Sequence, residues 1–413
     1  MKKIVYVLLG VLISSSLLWS QEDIIKKVNI EINKEKPDYD EARLLIRKAL
    51  NDESTKHDAK TWLTAAEIGY KEYTQYNTQA AMGQMIDEER RGEAIIESYN
   101  YLLKADSIAM IPTTDKKGKS VVDTKTRSKV VKMLQEYYTT QDIVRYGVFL
   151  NEHQDYNRAY VAFKTHVSIP ELPMMRDSKI QSSMPRDTTY YQYYYYAGLF
   201  AIQSKHHKEA ISIFKRLTDS TDAKENMYQF LYQEYIEVGD SAKAFNTLIK
   251  ASKKYPKDAW FTQNIINHYI ANEKYSEAQT YLDKVIKQQP KVAQYHYIKG
   301  NIAERLDNPD MALAEFDKAL EIDPKLAGAY AGKARLFYNK AVKKQEQAST
   351  VSDQEYVLWN KEIDDLFRKS IPLFEKAHQL DKNNAEYMKT LKYLYQRFSM
   401  NDKYKAIESE LGF

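Results

Sequence analysis

The stretch 259–326 decides the fold, because it contains one pattern twice in succession: AWFTQNIINHYIANEKYSEAQTYLDKVIKQQPKV (259–292) and AQYHYIKGNIAERLDNPDMALAEFDKALEIDPKL (293–326). Alanine stands at the twentieth position of both copies, at Ala278 and Ala312. A large apolar residue stands at the twenty-fourth, at Leu282 and Phe316. Each copy ends close to a proline, a residue that cannot continue a helix. The spacing predicts two helices per copy, joined by short turns.

The same pattern extends in both directions along the chain. Units with this spacing begin at Thr140, Tyr191, Glu225 and Ala327, and a terminal unit begins at Ala385. The unit at Ala327 is interrupted after Phe337 and resumes at Ser370. The inserted residues have two helical patterns, which predict a projecting hairpin near 339–369. Between residues 21 and 139 the pattern is looser and carries polar insertions, such as the predicted surface loop 111–128.

The repeat resembles the tetratricopeptide repeat, a helix–turn–helix unit with a small eighth residue, alanine at position twenty and a large residue at twenty-four. Gly198 and Gly300 are the small eighth residues of two units. The resemblance implies an all-α fold, a right-handed α/α superhelix with insertions. It divides the chain into divergent repeats over 21–139 and a regular array over 140–413, which a capping repeat ends. The layout also resembles exported repeat proteins of Bacteroidota.

Composition narrows the functional classes. The 413 residues are 43% hydrophobic and 29% charged, with a net charge of +4, so a folded chain with a balanced surface is expected. This balance argues against nucleic acid as the main partner. Only 12 Gly and 10 Pro occur, as in long helices with short turns. The 34 Tyr suit half-buried helix faces and grooves.

The beginning of the chain predicts export. Lys2 and Lys3 precede a short apolar run from Ile4 to Ile13, and small residues follow at 14–16. This is typical of a secretory signal peptide over residues 1–20, cleaved before Gln21. The apolar run is short for a membrane span, so no span is expected in the mature chain. The sequence has no Cys and hence no lipid-attachment site, which favours the periplasm or the extracellular space.

No constellation of residues predicts catalysis, a metal or a cofactor. The eight His include no pair at a metal-binding spacing such as HExxH. The segment Gly328–Lys333 superficially resembles a phosphate-binding loop. It has one residue too few between its glycines and lies inside a predicted helix. We therefore expect a protein that is not an enzyme and that needs no cofactor.

The first helices of the units supply the candidate binding residues. In the family that the repeat resembles, positions two, five, nine and twelve of the first helix face a concave groove, and these positions share one helical face. Gln and Asn recur at positions five and nine, where their amides could hydrogen-bond the backbone of an extended peptide. A merely hydrated polar groove is the alternative. The predicted groove residues are Tyr195, Gln229, Gln233, Gln263, Asn267, Tyr297, Asn301 and Arg335.

The projecting hairpin supplies a possible second contact, at Tyr356 and Trp359. An exposed aromatic cluster there would favour partner binding, whereas a Trp359 that only packs the hairpin onto itself would not. The function predicted from the sequence is a protein- or peptide-binding scaffold. A glycan-associated binding protein, favoured by Trp260 at position two, and a structural subunit of a cell-envelope assembly are the alternatives.

Overall fold

The computed structural model describes residues 21–115, 117–348 and 352–412. The expected signal peptide at 1–20 and the predicted turn at 349–351 lie outside the described residues. Contacts within the chain divide it into two compact units, the first ending at Gly239 and the second beginning at Asp240. The described chain is an all-α repeat fold with one short β-hairpin, which confirms the predicted all-α solenoid class.

The first unit is a succession of packed helices. They are α1 (Gln21–Glu31), α2 (Tyr39–Asn51), α3 (Ala59–Ala81), α4 (Glu88–Ala109), α5 (Thr124–Thr140), α6 (Asp142–Glu152), α7 (Tyr156–Ser168), α8 (Ser178–Ser182), α9 (Thr188–Gln203), α10 (His207–Thr218) and α11 (Glu225–Glu237). Neighbouring helices pack in pairs, such as α3 with α4 and α6 with α7.

Two segments of the first unit depart from the repeat. The predicted surface loop at 111–128 contains β1 (Thr113–Thr114), which pairs antiparallel with β2 (Ser120–Val121). The sequence did not predict this hairpin, because its strands have only two residues each and no alternating apolar pattern. Between α7 and α9, two 3₁₀ turns (Ile169–Glu171 and Pro173–Met175) and α8 form a connection that folds back against α5.

The second unit consists of more regular pairs, in which five successive helices have 13 or 14 residues each. Its helices are α12 (Ser241–Lys254), α13 (Ala259–Ala271), α14 (Tyr275–Gln288), α15 (Ala293–Arg305), α16 (Pro309–Ile322), α17 (Ala327–Gln347), α18 (Asp353–Leu380), α19 (Ala385–Arg397) and α20 (Asn401–Glu410). Helices α13, α15, α17 and α19 begin at the residues where the sequence pattern starts a unit. The predicted hairpin segment falls within α17 and α18, which are longer than the other helices of this unit, and its projection from the array stays a prediction.

Repeat positions have the packing roles that their residue types predict. Gly300, at position eight of α15, lies against the ring of Phe316 at position twenty-four of α16. A Cβ atom at Gly300 would approach that ring to 2.6 Å, closer than packed atoms allow. Ala303, Ala312 and Ala319 are fully buried around the same ring. Small residues therefore let the two helices approach, and the ring fills the space between them.

A left-handed residue follows the first helix in six of the seven predicted units from Thr140 onward, the exception being the unit at Ala327, where α17 continues through the fifteenth residue. Positive φ angles occur at Gln154, Lys205, Gly239, Glu273, Asp307 and Ser399. Counted from the predicted unit starts, every one is the fifteenth residue. The φ values of the non-glycine members lie between 53° and 61°. This conformation ends a helix and costs a residue other than glycine about 1 kcal/mol. The units therefore share the geometry of the turn, although they do not share the residue that adopts it.

Candidate binding surface

The predicted groove residues lie on the first helices of their pairs. Gln263 and Asn267 are on α13, Tyr297 and Asn301 on α15, and Arg335 on α17. Residues four apart share one helical face, so each pair stands one turn apart on its own helix. None of the five is buried, and Asn267 is exposed. We call these five residues, all of the second unit, the first-helix face.

Gln263 and Asn267 hydrogen-bond each other. The Gln263 Nε2 group donates to Asn267 Oδ1 at 2.9 Å. Within the described residues neither amide makes another side-chain hydrogen bond. An amide has two donor hydrogens and an acceptor oxygen, so the pair still presents the Gln263 oxygen and the Asn267 amino group. One acceptor and one donor side by side match the N–H and C=O of a peptide backbone.

Arg335 joins two successive first helices. Its Nε donates to Glu304 Oε1 at 2.9 Å, and its Nη2 donates to Glu304 Oε2 at 2.5 Å and to Asn301 Oδ1 at 3.0 Å. The Glu304 carboxylate raises the pKa of Arg335 above its ordinary value. This bidentate pair fixes the guanidinium and neutralises its charge, so the surface around it does not select for an anionic ligand.

Tyr297 forms the aromatic part of this face. Its ring lies 6.1 Å from Phe316, measured between centroids, and packs on the backbone at Gly328 at the start of α17. Tyr387, at the start of α19, lies close enough to Tyr297 and Arg335 for their charges to influence its pKa. Burial raises the pKa of Tyr387, and Tyr297 raises it further. Half-buried tyrosines on neighbouring helices offer a partner apolar area with little flexibility.

The remaining groove residues belong to the first unit and make their own local contacts. Tyr195 of α9 accepts a hydrogen bond from Asn226 Nδ2 of α11 at 3.0 Å. Gln233 donates to Glu237 Oε1, one turn along α11, at 3.0 Å. Gln229 is half-buried. The predicted continuity of these residues with those of the second unit stays a prediction.

The hairpin residue Trp359 packs onto the hairpin itself. Its ring is half-buried against the core of α17 and α18, and the Lys344 ammonium lies 4.9 Å from the ring centroid. Val357 and Leu358 beside it are exposed, at 69% and 64%. The side chain of Tyr356 lies outside the described residues. These contacts favour the packing role for Trp359 and leave the two aliphatic residues as the exposed apolar part of α18.

Three residues of this surface were not assigned from the sequence. Glu304 stands at position twelve of α15, a groove position, and its partner Arg335 at position nine of the next unit was already predicted. The complementary charges were the signal that could have identified the pair. Asn339, which donates to Glu304 at 3.3 Å, and Tyr387 lie outside the four groove positions, so spacing alone could not have found them.

The described part of the chain has neither a metal-binding cluster nor a membrane-spanning helix. Within it, no group of three or more His, Asp or Glu side chains could hold a metal ion. None of its helices combines the length and apolar character needed to cross a bilayer.

One comparison with known protein families matches the repeat. The family model described as Tetratricopeptide repeat matches residues 264–327, which include most of α13 to α16. A search of curated protein sequences found no significant match.

Similar solved structures include MamA AMB-1, with 17% identity and a TM-score of 0.33, covering 48% of this chain and 96% of that one. They also include the C-terminal part of a TPR repeat-containing protein from Cytophaga hutchinsonii, with 15% identity and a TM-score of 0.42, covering 65% and 93%. These likenesses are too distant to transfer a function. The family match identifies a tetratricopeptide repeat over residues 264–327, and similar helix pairs recur along the described chain.

Proposed function

We propose that the protein is a non-catalytic scaffold that binds an extended segment of a partner protein along the first-helix face. The observation that carries the proposal is the Gln263–Asn267 pair, which leaves an acceptor and a donor directed away from its own bond. Such a pair can hydrogen-bond a peptide backbone without reading its side chains. Repeat folds supply preformed binding surfaces of this kind.

The charges on this face favour a partner segment that binds without a strong ion pair. The only cationic residue of the face is Arg335, and Glu304 already holds it. A partner would therefore gain hydrogen bonds and tyrosine contacts rather than a strong ion pair. Each hydrogen bond contributes about 0.5–1.5 kcal/mol net, so affinity depends on several of them acting together.

Site-directed photo-crosslinking tests the location of the site. A peptide library would first be screened against residues 21–413, and the best binder retained. A photoreactive residue at position 263 should then crosslink to this peptide, whereas the same residue at Gln288, exposed on the second helix α14, should not. Efficient crosslinking at 288 with none at 263 would move binding to the opposite side of the repeat.

We also propose that the protein acts outside the cytoplasm, in the periplasm or the extracellular space. The support is the signal-like pattern of residues 1–20. Mass spectrometry of the protein purified from its native source should give a chain that begins near Gln21. A chain retaining Met1 would contradict export by this signal.

A further inference from the structure

Helix α13 differs in charge from the other first helices of the second unit. Between Ala259 and Ala271 it contains no Asp, Glu, Lys or Arg, whereas α15, α17 and α19 each contain at least three such residues. Its histidine, His268, stacks on Phe245 with ring centroids 3.9 Å apart. Burial lowers the pKa of His268, and the Lys274 charge lowers it further, so the imidazole is uncharged at neutral pH. Exposed helix faces ordinarily carry charged residues, so the uncharged face of α13 suits contact with a neutral partner.

Four residues of α13 form one stripe along this helix, which we call the α13 stripe. They lie within an arc of about 80°, because each residue of a helix turns the chain by about 100°. They are Trp260, Gln263, Asn267 and Ile270. The apolar residues are at its two ends, where Trp260 is 37% exposed and Ile270 is 36% exposed. The hydrogen-bonded amide pair described above lies between them.

The core of this helix pair is filled by other side chains of α13. Phe261, Ile265 and Ile266 are fully buried. The Trp260 ring meets Phe261 edge-on, with centroids 5.3 Å apart and an interplanar angle of 88°. This contact orients the indole, yet more than a third of the side chain stays accessible. Trp260 and Ile270 thus provide apolar area at the surface in addition to that of the buried core.

The preceding unit repeats most of the stripe in its sequence. Its first helix, α11, has Gln229 at position five, Gln233 at position nine and Ile236 at position twelve. The same three positions of α13 hold Gln, Asn and Ile. Ile236 is exposed as well, at 41%. One exposed isoleucine is common on protein surfaces, but the same order of glutamine, second amide and exposed isoleucine in two successive units indicates a shared use.

An extended peptide presents groups in the same order as the stripe. Its side chains on one side recur every two residues, about 6.6 Å apart, and backbone N–H and C=O groups lie between them. Side chains four residues apart are separated by about 13 Å, which is close to the distance of about 15 Å between the ends of the stripe. Separations of two or six residues give about 7 Å or 20 Å, which fit less well.

We propose that the partner segment carries two large apolar side chains four residues apart, and that these contact Trp260 and Ile270. The backbone between them bonds the free acceptor of Gln263 and the free donor of Asn267. This inference rests on the proposed function and adds the chemical class of the segment, which is neutral and extended over α13. A charged side chain at either apolar position is disfavoured, because no group of α13 compensates for its loss of hydration.

Synthetic peptides of one composition test the spacing. Acetylated and amidated peptides of nine residues would contain serine, threonine and two leucines placed two, four or six positions apart. Binding to residues 21–413 is followed by ligand-observed NMR. The peptide with spacing four should bind at least about threefold more tightly than the other two, because it alone places both leucines on the exposed apolar residues. Replacing one of its leucines by lysine should weaken binding by a similar factor.

Two variants and a matched control assign the contacts. Ile270→Gln and Trp260→Gln should each weaken binding of the spacing-four peptide about fivefold. In Ile270→Gln, changing one of the two leucines to alanine should cost less than in the parent, because its contact is already lost. Leu306→Gln alters a residue that is 39% exposed in the same unit but lies outside the stripe, and it should bind like the parent. Circular dichroism checks each fold, and if Trp260→Gln melts early, Ile270→Gln alone decides.

Four results would overturn the inference. They are equal affinity at all three spacings, tighter binding at spacing two or six, no binding of any of these peptides, and unchanged affinity in Ile270→Gln with native circular dichroism. Failure of the proposed function is recognised separately, since the crosslinking test at position 263 uses a library-selected peptide and assumes no apolar spacing. Crosslinking at 263 combined with any of the four results would remove the apolar pattern and leave the proposed function standing.

Discussion

Gly300 of α15 packs against the ring of Phe316 of α16, and only a residue without a side chain leaves room for that ring. A Cβ at Gly300 would come within 2.6 Å of Phe316 Cε1. Gly198 and Phe214 repeat the relationship in the first unit, where the corresponding distance is 2.9 Å. Positions eight and twenty-four of the sequence pattern are thus the two sides of one contact.

Replacing Gly300 with Ala should destabilise the second unit. Alanine favours a helix by up to about 1 kcal/mol over glycine, but overpacking costs about 1–3 kcal/mol, so we expect a net loss of about 1–2 kcal/mol. Urea unfolding followed by circular dichroism measures it. In a Phe316→Leu background the same Gly300→Ala change should cost less, because the ring that it meets is absent. Equal costs in both backgrounds would show that crowding is not the cause.

The network around Glu72 should be a stability determinant of the first unit. Glu72 is buried and accepts from Arg43 Nη2 at 2.5 Å and from Arg90 Nε at 2.8 Å. Glu72→Gln leaves two guanidinium groups with one carboxylate fewer, so we expect a loss of about 2–3 kcal/mol in unfolding free energy. Glu53→Gln, which removes an exposed partner of Lys56, is the control and should change it by less than about 0.5 kcal/mol.

His166 should make the first unit less stable in acid. Its folded pKa is about 4, below the ordinary value of 6.5, so the unfolded chain binds more protons between these values. The contribution of His166 to the free energy of unfolding is therefore fully present above about pH 6.5. It is lost as the pH is lowered towards 4, which decreases the free energy of unfolding by up to about 3 kcal/mol. Urea unfolding at a series of pH values should show this slope, and His166→Phe should flatten it. An equal slope in His166→Phe, or a flattened one in the exposed His57→Gln control, would contradict the assignment.

Trp359 should contribute to folding, and Leu358 should not. Trp359→Ala removes a half-buried ring from the α17–α18 core and its contact with Lys344, so we expect a loss of about 1–3 kcal/mol. Leu358→Ala, at an exposed position, should leave thermal unfolding within about 0.5 kcal/mol of the parent. Unchanged melting in Trp359→Ala would instead favour a partner-binding role for the tryptophan.

The fold could be predicted from the sequence largely because the same residue pattern recurs in several successive units. Helices α11, α13, α15, α17 and α19 begin at the predicted unit starts, since alanine, glycine and large apolar residues recur at fixed spacing. Where one unit matches the pattern poorly, the regular spacing of its neighbours still predicts where its helices begin. The β-hairpin at 113–121 occurs once and has no such support.

The sites depend on contacts that spacing does not encode. Charged residues on helix faces look alike in the sequence, so the Arg43–Glu72 pair becomes visible only when neighbouring helices are placed. The Arg335–Glu304 pair could have been found from its opposite charges at groove positions of successive units. The connection after α7 returns to α5 through two 3₁₀ turns and α8, an arrangement that no periodic pattern describes. Position within the repeat supplies the candidate groove residues, whose binding role stays a prediction, but it does not supply their hydrogen-bond partners.

The effect of Gln263→Ala combined with Asn267→Ala on peptide affinity tests the central claim most directly. Calorimetric titration with the peptide selected against the parent chain should show binding weakened roughly tenfold, as expected for the loss of two backbone hydrogen bonds. Helix content and melting should stay unchanged, because both side chains lie outside the core, and Gln288→Ala should bind like the parent. An unchanged affinity in the double variant would contradict binding along the first-helix face.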